Sequence, residues 1–308
     1  MEESWKLARK RDALHIRAEM IRAIRGFFTD RNYLEVETPS RIPGPAPECH
    51  IDAIPSDAWF LHTSPELCMK RLLATGYPRI FQITRCFRSG ERGSLHIPEF
   101  TLLEWYKSGI DYRRMMEECE ELIVHVARNL GHREKINYRG REIDIQTPWK
   151  RISVKNAFRR YSPVSMKEAL ENNRFDEVMV SEIESRLVGT KGPVFLYDYP
   201  VALGALARVK KTNPEVAERF ELYMGGLELA NAFSELTDAA EQRARFEEEQ
   251  KNRRESGKSS YPMPEKFLSE LPDMPESSGI ALGVDRLAMI FTNSASIDDV
   301  VAFTPEEL

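Results

Sequence analysis

The 308-residue chain has 44 Lys and Arg residues against 49 Asp and Glu residues, which gives a formal net charge of −5. Broad, unspecific nucleic-acid binding depends on neutralising many phosphates, so this acidic balance argues against it. No apolar run approaches the ~20 residues of a membrane-spanning helix, and the first residues lack the apolar stretch of a secretory signal. No C-x-x-C pair occurs among the four cysteines, which favours a reducing cytoplasm over a disulfide framework or a zinc site.

The first half of the chain mixes helical and strand patterns. Apolar residues at helical spacing predict a helix over residues 12–29, and Y-L-E-V-E-T-P predicts a short strand that ends at Pro39. Ser64 is placed to cap a further helix, with Pro65 at its first position. The segments R-I-F-Q-I-T-R-C-F-R and P-E-F-T-L-L-E-W-Y predict a hairpin, and helical spacing returns over residues 116–130.

The second half is richer in strands. Residues 151–190 have the pattern of a helical insertion, and strands are predicted for G-P-V-F-L-Y-D-Y-P, E-R-F-E-L-Y-M-G-G-L-E-L-A and S-G-I-A-L-G-V. One helix should follow Thr237, and another should begin near Val284 or Asp285. Because predicted strands neighbour one another more often than they alternate with helices, we expect an α+β fold, with a mainly antiparallel sheet flanked by helices. We expect one domain over residues 1–308.

The predicted hairpin concentrates cations, carboxylates and aromatic rings. Residues two apart in a strand share a face, and the face in question carries Phe100, Leu102, Glu104 and Tyr106, while Arg88 closes the first strand. Such a surface suits an anion at Arg88, a flat ring on Phe100 and a cation near Glu104. Charged hairpins are also commonly solvated surface, and the segment alone does not decide.

A second candidate segment is G-G-L-E-L-A-N-A-F-S-E-L-T-D, which contains Glu228, Asn231 and Glu235. Carboxylates and an amide are good ligands for a hard cation such as Mg²⁺. Glu228 and Glu235 are seven residues apart, so a regular strand would put them on opposite faces. They converge only where the chain bulges or turns into the following helix; the alternative is a strand end with solvated glutamates.

The third segment is S-G-I-A-L-G-V-D-R-L-A-M-I-F. Gly279 and Gly283 permit close backbone approach, and the helix that follows offers an N-terminus that favours anions. Arg286 falls in the first turn of that helix, where a cation opposes the helix dipole, which hints at function. A glycine-softened strand packed on a helix is the alternative.

In their order and spacing, these segments resemble the three motifs of class II aminoacyl-tRNA synthetases, here L-E-V-E-T-P, F-R-x-x-E…H-x-P-E-F-T-x-L-E-W-Y and G-x-A-x-G-x-D-R. The match is nearest to the catalytic domain of lysyl-tRNA synthetases and covers nearly the whole chain. Those enzymes carry an N-terminal OB-fold anticodon domain, and we expect none here. This layout, and Ala281 in place of a glycine, resemble a stand-alone paralogue family, the elongation factor P–(R)-β-lysine ligases.

The resemblance implies an ATP-dependent ligase with a two-step reaction. The carboxylate of (R)-β-lysine, or of lysine, would attack ATP to form an aminoacyl-adenylate, and a lysine of elongation factor P would then accept the aminoacyl group. ATP is a substrate, Mg²⁺ is the implied metal, elongation factor P is the partner, and neither tRNA nor a membrane is expected. A homodimer is implied, and the basic first helix, with Arg17, Arg22 and Arg25, is a candidate docking surface for the acceptor.

The resemblance also implies roles for single residues. Arg88 and Arg286 should be catalytic and hold the ATP phosphates, and Phe100 and Arg286 should sandwich the adenine. Glu228 and Glu235 should bind Mg²⁺. Further nucleotide contacts are implied for Glu91, Leu229 and Gly283. Contacts to the amino acid and its ammonium groups are implied for Ser64, Glu66, Glu104, Tyr106, Asn231, Glu235 and Ala281.

Two positions depart from the family pattern. Gly90 replaces the glutamate of F-R-x-E, with Glu91 one residue later, and Ile97 replaces the asparagine of H-N-P-E-F. Both belong to the nucleotide-binding loop in the family. Two alternatives therefore stay open: a truncated lysyl-tRNA synthetase-like enzyme that charges tRNA or another carrier, and a catalytically silent regulatory paralogue.

Overall fold

An eight-stranded sheet forms the centre of the molecule, as seen in a computed structural model that describes residues 7–308. In spatial order its strands are β1 (Leu34–Glu35), β5 (Arg79–Phe87), β6 (Glu99–Ser108), β13 (Ser277–Gly283), β12 (Leu227–Ser234), β11 (Val216–Met224), β10 (Val194–Pro200) and β9 (Lys150–Ser153). The inner pairings are antiparallel, and the two outermost, β1 with β5 and β9 with β10, are parallel. The predicted α+β class is confirmed.

Helices and two small sheets surround this sheet. The helices are α1 (Arg11–Thr29), α2 (Glu66–Ala74), α3 (Tyr112–Asn129), α4 (Val154–Tyr161), α5 (Met166–Glu171), α6 (Phe175–Val178), α7 (Ser185–Leu187), α8 (Ala239–Glu255), α9 (Glu265–Glu270) and α10 (Val284–Phe291), with a π-helical turn at Met179–Glu184. The small sheets contain β2 (Arg41–Ile42), β3 (Pro55–Ser56) and β4 (Trp59–Leu61), and β7 (Lys135–Tyr138) with β8 (Arg141–Asp144). Within residues 7–308, no helix has both the length and the apolar content to span a bilayer.

The two faces of the large sheet have different partners. On the back face, buried side chains such as Leu103, Leu222 and Leu282 join the apolar faces of α1, α3 and α10 in the main core. Full burial of one such side chain is worth about 1.5–3 kcal/mol, so this face anchors the sheet. The front face carries two smaller apolar cores and the polar residues that are described below.

The segment from α4 to α7 packs on the front face at the β9 edge. Its apolar side chains, including Val154 and Phe158, form a second core with Ile152 of β9 and Leu196 of β10. Ile152 pairs with Leu196, which pairs with Glu221, which pairs with Asn231. Because paired residues share a face, these helices lie on the same face as Asn231.

Two local expectations differ from the structure. The strand that was expected to run up to Pro39 spans only Leu34–Glu35, because β1 is an edge strand with β5 as its sole neighbour among the described strands. Ser64 does not cap α2: the helix begins at Glu66, and Pro65 occupies the cap position with no side-chain hydrogen bond. A proline ring fixes φ near −65° and starts a helical turn without such a cap.

Candidate active site

A cavity of about 340 Å³ opens on the front face of the sheet. Its floor follows the strand register: Ala281 pairs with Glu104 on one side and with Asn231 on the other. Phe100 and Tyr106 are six residues apart on β6, which is about 20 Å at the ordinary strand rise, so the floor has two distinct ends. Of the predicted site residues, the following line the cavity: Ser64, Glu66, Arg88, Glu91, Phe100, Glu104, Tyr106, Glu228, Leu229, Asn231, Ala281, Gly283 and Arg286.

At one end, carboxylates gather around a buried lysine. Lys70 Nζ lies 2.6 Å from Glu66 Oε1 and 2.6 Å from Glu235 Oε2. Glu66 and Lys70 are four residues apart on α2, so both side chains leave the same side of the helix. Glu235 is the predicted site residue that does not line the cavity, because its carboxylate is fully buried against Lys70.

Glu104 and Tyr106 complete this end. The Tyr106 hydroxyl donates to Glu104 Oε2 at 2.9 Å, and both side chains are buried. Burial raises the pKa of Glu104 well above its usual range, and the nearby Glu66 carboxylate raises it further, against the opposing effects of Tyr106 and Lys70. Three carboxylates (Glu66, Glu104 and Glu235) thus face one resident ammonium group, which suits a ligand that brings further positive charge.

Gly279 is required where it stands. A Cβ atom at this position would lie 2.2 Å from Tyr106 Cε1 and 2.5 Å from Glu235 Oε1. Such distances are far inside van der Waals contact, so the absence of a side chain lets Tyr106 and Glu235 approach the same backbone. The sequence predicted close approach at Gly279, and the structure identifies the partners.

At the other end, arginines and an aromatic ring prevail. The Arg88 guanidinium lies 4.9 Å from the Phe100 ring centroid, and Arg88 Nη1 is 3.8 Å from Glu91 Oε1. Arg88 Nε is buried and has no hydrogen-bond partner within residues 7–308. A buried, unpaired donor on a cation is costly unless an anion satisfies it, so this position suits a phosphate or a carboxylate.

Arg286 is held at the same end by contacts from two elements. Its Nη1 donates to the Glu228 carbonyl oxygen at 2.8 Å, and its Nη2 lies 2.7 Å from His96 Nε2. The start of α10 is fixed as well, because the Asp285 carboxylate accepts from the Thr101 backbone N–H at 2.6 Å and pairs with Arg17. Arg286 therefore projects into the cavity from a rigid support.

A β-bulge decides where Glu228 points. Leu222 pairs with Ala230, but Tyr223 pairs with Glu228, so Leu229 is an extra residue in β12. The bulge shifts the alternation by one residue and so puts Glu228 on the same face as Asn231. The sequence alone left open whether such a bulge occurs. Partial burial at the cavity wall and the nearby Glu221 carboxylate raise the pKa of Glu228 to about 7.

Asn231 is oriented by a polar network on the neighbouring strand. Arg219 Nε donates to Asn231 Oδ1 at 3.2 Å, and Arg219 Nη2 donates to Glu221 Oε1 at 2.6 Å. Tyr199 and Tyr223 donate to the other oxygen of Glu221. With its oxygen engaged, Asn231 retains its amide NH₂ as a donor toward the cavity.

The loop between β5 and β6 is tied to the C-terminal segment. Arg92 makes a bidentate contact with Glu306 at 2.8 and 2.9 Å and reaches Asp298 at 2.9 Å. The Ile297 backbone N–H also donates to the Ser94 carbonyl oxygen at 2.8 Å. Gly90 has φ +77°, a conformation that disfavours the family's glutamate, and Ile97 is buried in the main core.

Sequence reasoning missed four polar residues of the site. Lys70 could have been found from its spacing to Glu66, and Glu221 from its position beside the Glu228 hairpin. Glu48 also lines the cavity; burial and the nearby Glu66 carboxylate raise its pKa to about 7. Glu48 lies between regular elements, and the position of Arg219 beside the site follows only from the pairing of β11 with β12. No local sequence pattern therefore indicates either residue.

Comparison with known proteins agrees with this geometry. Residues 5–307 match the family described as tRNA synthetases class II (D, K and N). The elongation factor P–(R)-beta-lysine ligase of Hamiltonella defensa is 37% identical over 98% of this chain and 98% of its own length. The lysine–tRNA ligase of Moorella thermoacetica is also 37% identical, but the chain spans only 64% of that protein. The predicted resemblance is confirmed, and the chain belongs to the class II tRNA synthetase family.

Proposed function

We propose that this protein is an ATP-dependent ligase that activates (R)-β-lysine, or lysine, and transfers it to a lysine side chain of elongation factor P. The observation that carries the proposal is the polarity of one cavity, with three carboxylates at one end and Arg88 and Arg286 at the other. A diamino acid has two ammonium groups for the first end, and its carboxylate would point toward the second. The full-length likeness to elongation factor P ligases supports the choice of acceptor.

The first step needs positioning more than proton transfer. A carboxylate is ionised near neutral pH and can attack the α-phosphorus of ATP directly, while pyrophosphate leaves. Arg88, whose Nε lacks a partner among the described residues, would hold the reacting carboxylate and α-phosphate, and Phe100 offers a ring face for the adenine. Arg286 would neutralise the charge that develops on the departing phosphates. An amine of the acceptor then attacks the adenylate carbonyl and AMP leaves.

Magnesium fits Glu228 among the carboxylates that are present. Glu228 lines the cavity and has a partly exposed carboxylate, and Glu221 lies close enough to raise its pKa. Glu221 is engaged by Arg219, Tyr199 and Tyr223, so among these carboxylates we assign Mg²⁺ to Glu228. Glu235 is paired with Lys70, and we assign it also to the carboxylate-rich end of the cavity, which is called the ammonium end here. One or two carboxylates plus substrate phosphates is the usual way that proteins hold Mg²⁺, which would neutralise phosphate charge here.

The deciding experiment is pyrophosphate exchange into ATP without tRNA, in parallel with (R)-β-lysine, L-lysine and no amino acid. We expect exchange that depends on the amino acid and favours (R)-β-lysine, followed by aminoacylation of elongation factor P. Exchange with L-lysine together with charging of tRNA would favour the alternative that the lysine–tRNA ligase relatives raise. Folded protein that binds amino acid but supports no exchange would be the silent paralogue.

We also propose that the protein is a cytoplasmic homodimer. Edge strand β1 carries an exposed Leu34, and an exposed apolar residue at a sheet edge favours contact with another chain. Light scattering at working concentration should give twice the chain mass, and a monomeric mass would contradict the dimer.

A further inference from the structure

A strongly basic surface lies at the β9 edge of the sheet, outside the cavity. It is formed by Lys150 and Arg151 of β9 and by Lys155, Arg159 and Arg160 of α4, and is called the β9–α4 basic surface here. All five side chains are exposed, and residues 150–160 contain no acidic residue. In a chain with a net charge of −5, five cations within eleven residues are a local reversal of charge.

Most of these cations have no acidic partner. Arg151 pairs with Glu120 at 3.0 Å, but within residues 7–308 the other four form no ion pair with a carboxylate. Lys150 lies 3.4 Å from the Tyr161 hydroxyl, and Arg160 lies over the Tyr161 ring. By contrast, two arginines of the first helix, which the sequence suggested for docking, are already paired with carboxylates: Arg17 with Asp285 and Arg25 with Glu35.

The surface also has a shape that could receive side chains. A shallow notch of about 470 Å³ is lined by Lys150, Arg151, Ile152, Asn156, Arg159 and Arg160. The notch combines cations with one apolar side chain and one amide. Arginine forks in such a setting favour carboxylate groups, which they can bind through two hydrogen bonds.

The sheet register puts this surface beside the active-site cavity. Ile152, in β9, belongs to the same cross-strand row as Asn231 and Ala281, which line the cavity. The strands β10 and β11 separate β9 from β12, which is about 14 Å at the usual strand spacing. The helix α4 covers the same face, so a protein that reached into the cavity from this side would contact α4.

We propose that the β9–α4 basic surface docks a carboxylate-rich face of the acceptor protein during aminoacyl transfer. This rests on the proposed function, which requires a macromolecule to bring an amine to the adenylate. Charge complementarity makes an acidic protein face the fitting occupant, and none of the five cations lines the cavity in which we place adenylate formation. It gives the inserted helices a function in partner selection.

The test separates the two half-reactions in the full-length protein. The variant Lys155→Gln/Arg159→Gln/Arg160→Gln keeps good helix formers, and its matched control, Arg128→Gln/Arg133→Gln/Arg254→Gln, removes three exposed arginines elsewhere. We expect unchanged pyrophosphate exchange in both. We expect the KM for elongation factor P to rise about tenfold in the α4 variant alone, and its salt dependence to flatten.

Direct binding of purified elongation factor P by fluorescence anisotropy keeps the test independent of catalysis. Weaker binding by the α4 variant, but not by the control, would support the docking surface even if wild-type protein gave no exchange. Equal KM and equal binding in the two variants would overturn it. A loss confined to binding of purified tRNA would also overturn it, in favour of an RNA site.

Discussion

The two ends of the cavity differ in how far their charged side chains are buried. At the ammonium end, the side chains of Lys70 and Glu235 are 1% and 0% exposed, and their partners come from helix α2 and strands of the sheet. At the opposite end, which holds Arg88 and Arg286 and is called the phosphate end here, the side chains of Arg88 and Glu228 are 27% and 40% exposed. The β5–β6 loop supplies much of the wall at this end. Under the proposed function, this difference suits a small amino acid at the rigid, buried end and a larger nucleotide at the open one.

The largest effect is expected at the buried end, from Lys70→Met. This change leaves the Glu66 and Glu235 carboxylates without their shared cation, and breaking a buried ion pair costs about 3–5 kcal/mol. Urea denaturation at pH 7 should show that loss in the free energy of unfolding. The neighbouring Arg71→Met removes an exposed pair with Glu270 and should cost about 1 kcal/mol or less. Equal losses would mean that burial at this end is not what distinguishes it.

Gly279→Ala should damage the same end through shape. The added methyl group must displace Tyr106 or Glu235, and misplacing binding groups by about 1 Å can cost about 100-fold in rate. The kcat/KM for the amino acid in pyrophosphate exchange should therefore fall by about that factor, with a smaller change in the KM for ATP. Gly93→Ala, where a Cβ has open space at the phosphate end, is the matched control.

Ala281→Gly should change selectivity more than stability. Ala281 lines the cavity between Glu104 and Asn231, so removing its methyl group widens the pocket beside the substrate. One methyl group is worth roughly 1–3 kcal/mol of discrimination, and we expect L-lysine to improve relative to (R)-β-lysine. An unchanged ratio of kcat/KM for the two amino acids would contradict this role.

The raised pKa of Glu104 predicts that amino-acid binding releases protons. In the empty site this carboxyl holds a proton up to a higher pH than usual, and it must ionise to pair with an ammonium group. Affinity should therefore rise with pH below that pKa. Calorimetry in two buffers of different ionisation enthalpy counts the protons, and Glu104→Gln should reduce the count. An equal count for both proteins would assign the release elsewhere.

The smallest effect is expected where the loop meets the C-terminal segment. Arg92→Gln should loosen the β5–β6 loop and raise the KM for ATP about two- to fivefold, because exposed ion pairs contribute little even in bidentate geometry. The KM for the amino acid should not change. The swap Arg92→Glu/Glu306→Arg should recover part of the ATP affinity, whereas Arg243→Gln, in an unrelated exposed pair, should have no effect.

Much of the scaffold followed from local patterns. The hairpin of β5 and β6, the helices α1 and α3, and the strand–helix unit of β13 and α10 have strong periodicity and lie where the sequence indicated. The resemblance, which rests on the order of the motifs along the chain, then predicted that Arg88, Glu228 and Arg286 lie at one site. The α2 start differed, since a proline can begin a helix without the serine cap.

The parts that escaped prediction depend on register and on distant contacts. The sequence did not decide on which face of the sheet Glu228 lies, because a bulge in β12 has no reliable local signature. Glu235 contacts Lys70, which lies on another element, and no local pattern in the sequence indicates that contact. The contacts of Arg92 with the C-terminal segment join residues more than 200 positions apart, which no periodicity can reveal.

The extra residue in β12 makes the site sensitive to the length of the hairpin as well as to its chemistry. If β12 kept its present length but paired without the bulge, Glu228 would turn toward the back of the sheet, although every polar side chain of the site would still be encoded. A related sequence could therefore keep both glutamates and still lose the arrangement through a change that removes the bulge. For engineering, the spacing between Gly226 and Asn231 should be treated as part of the active site.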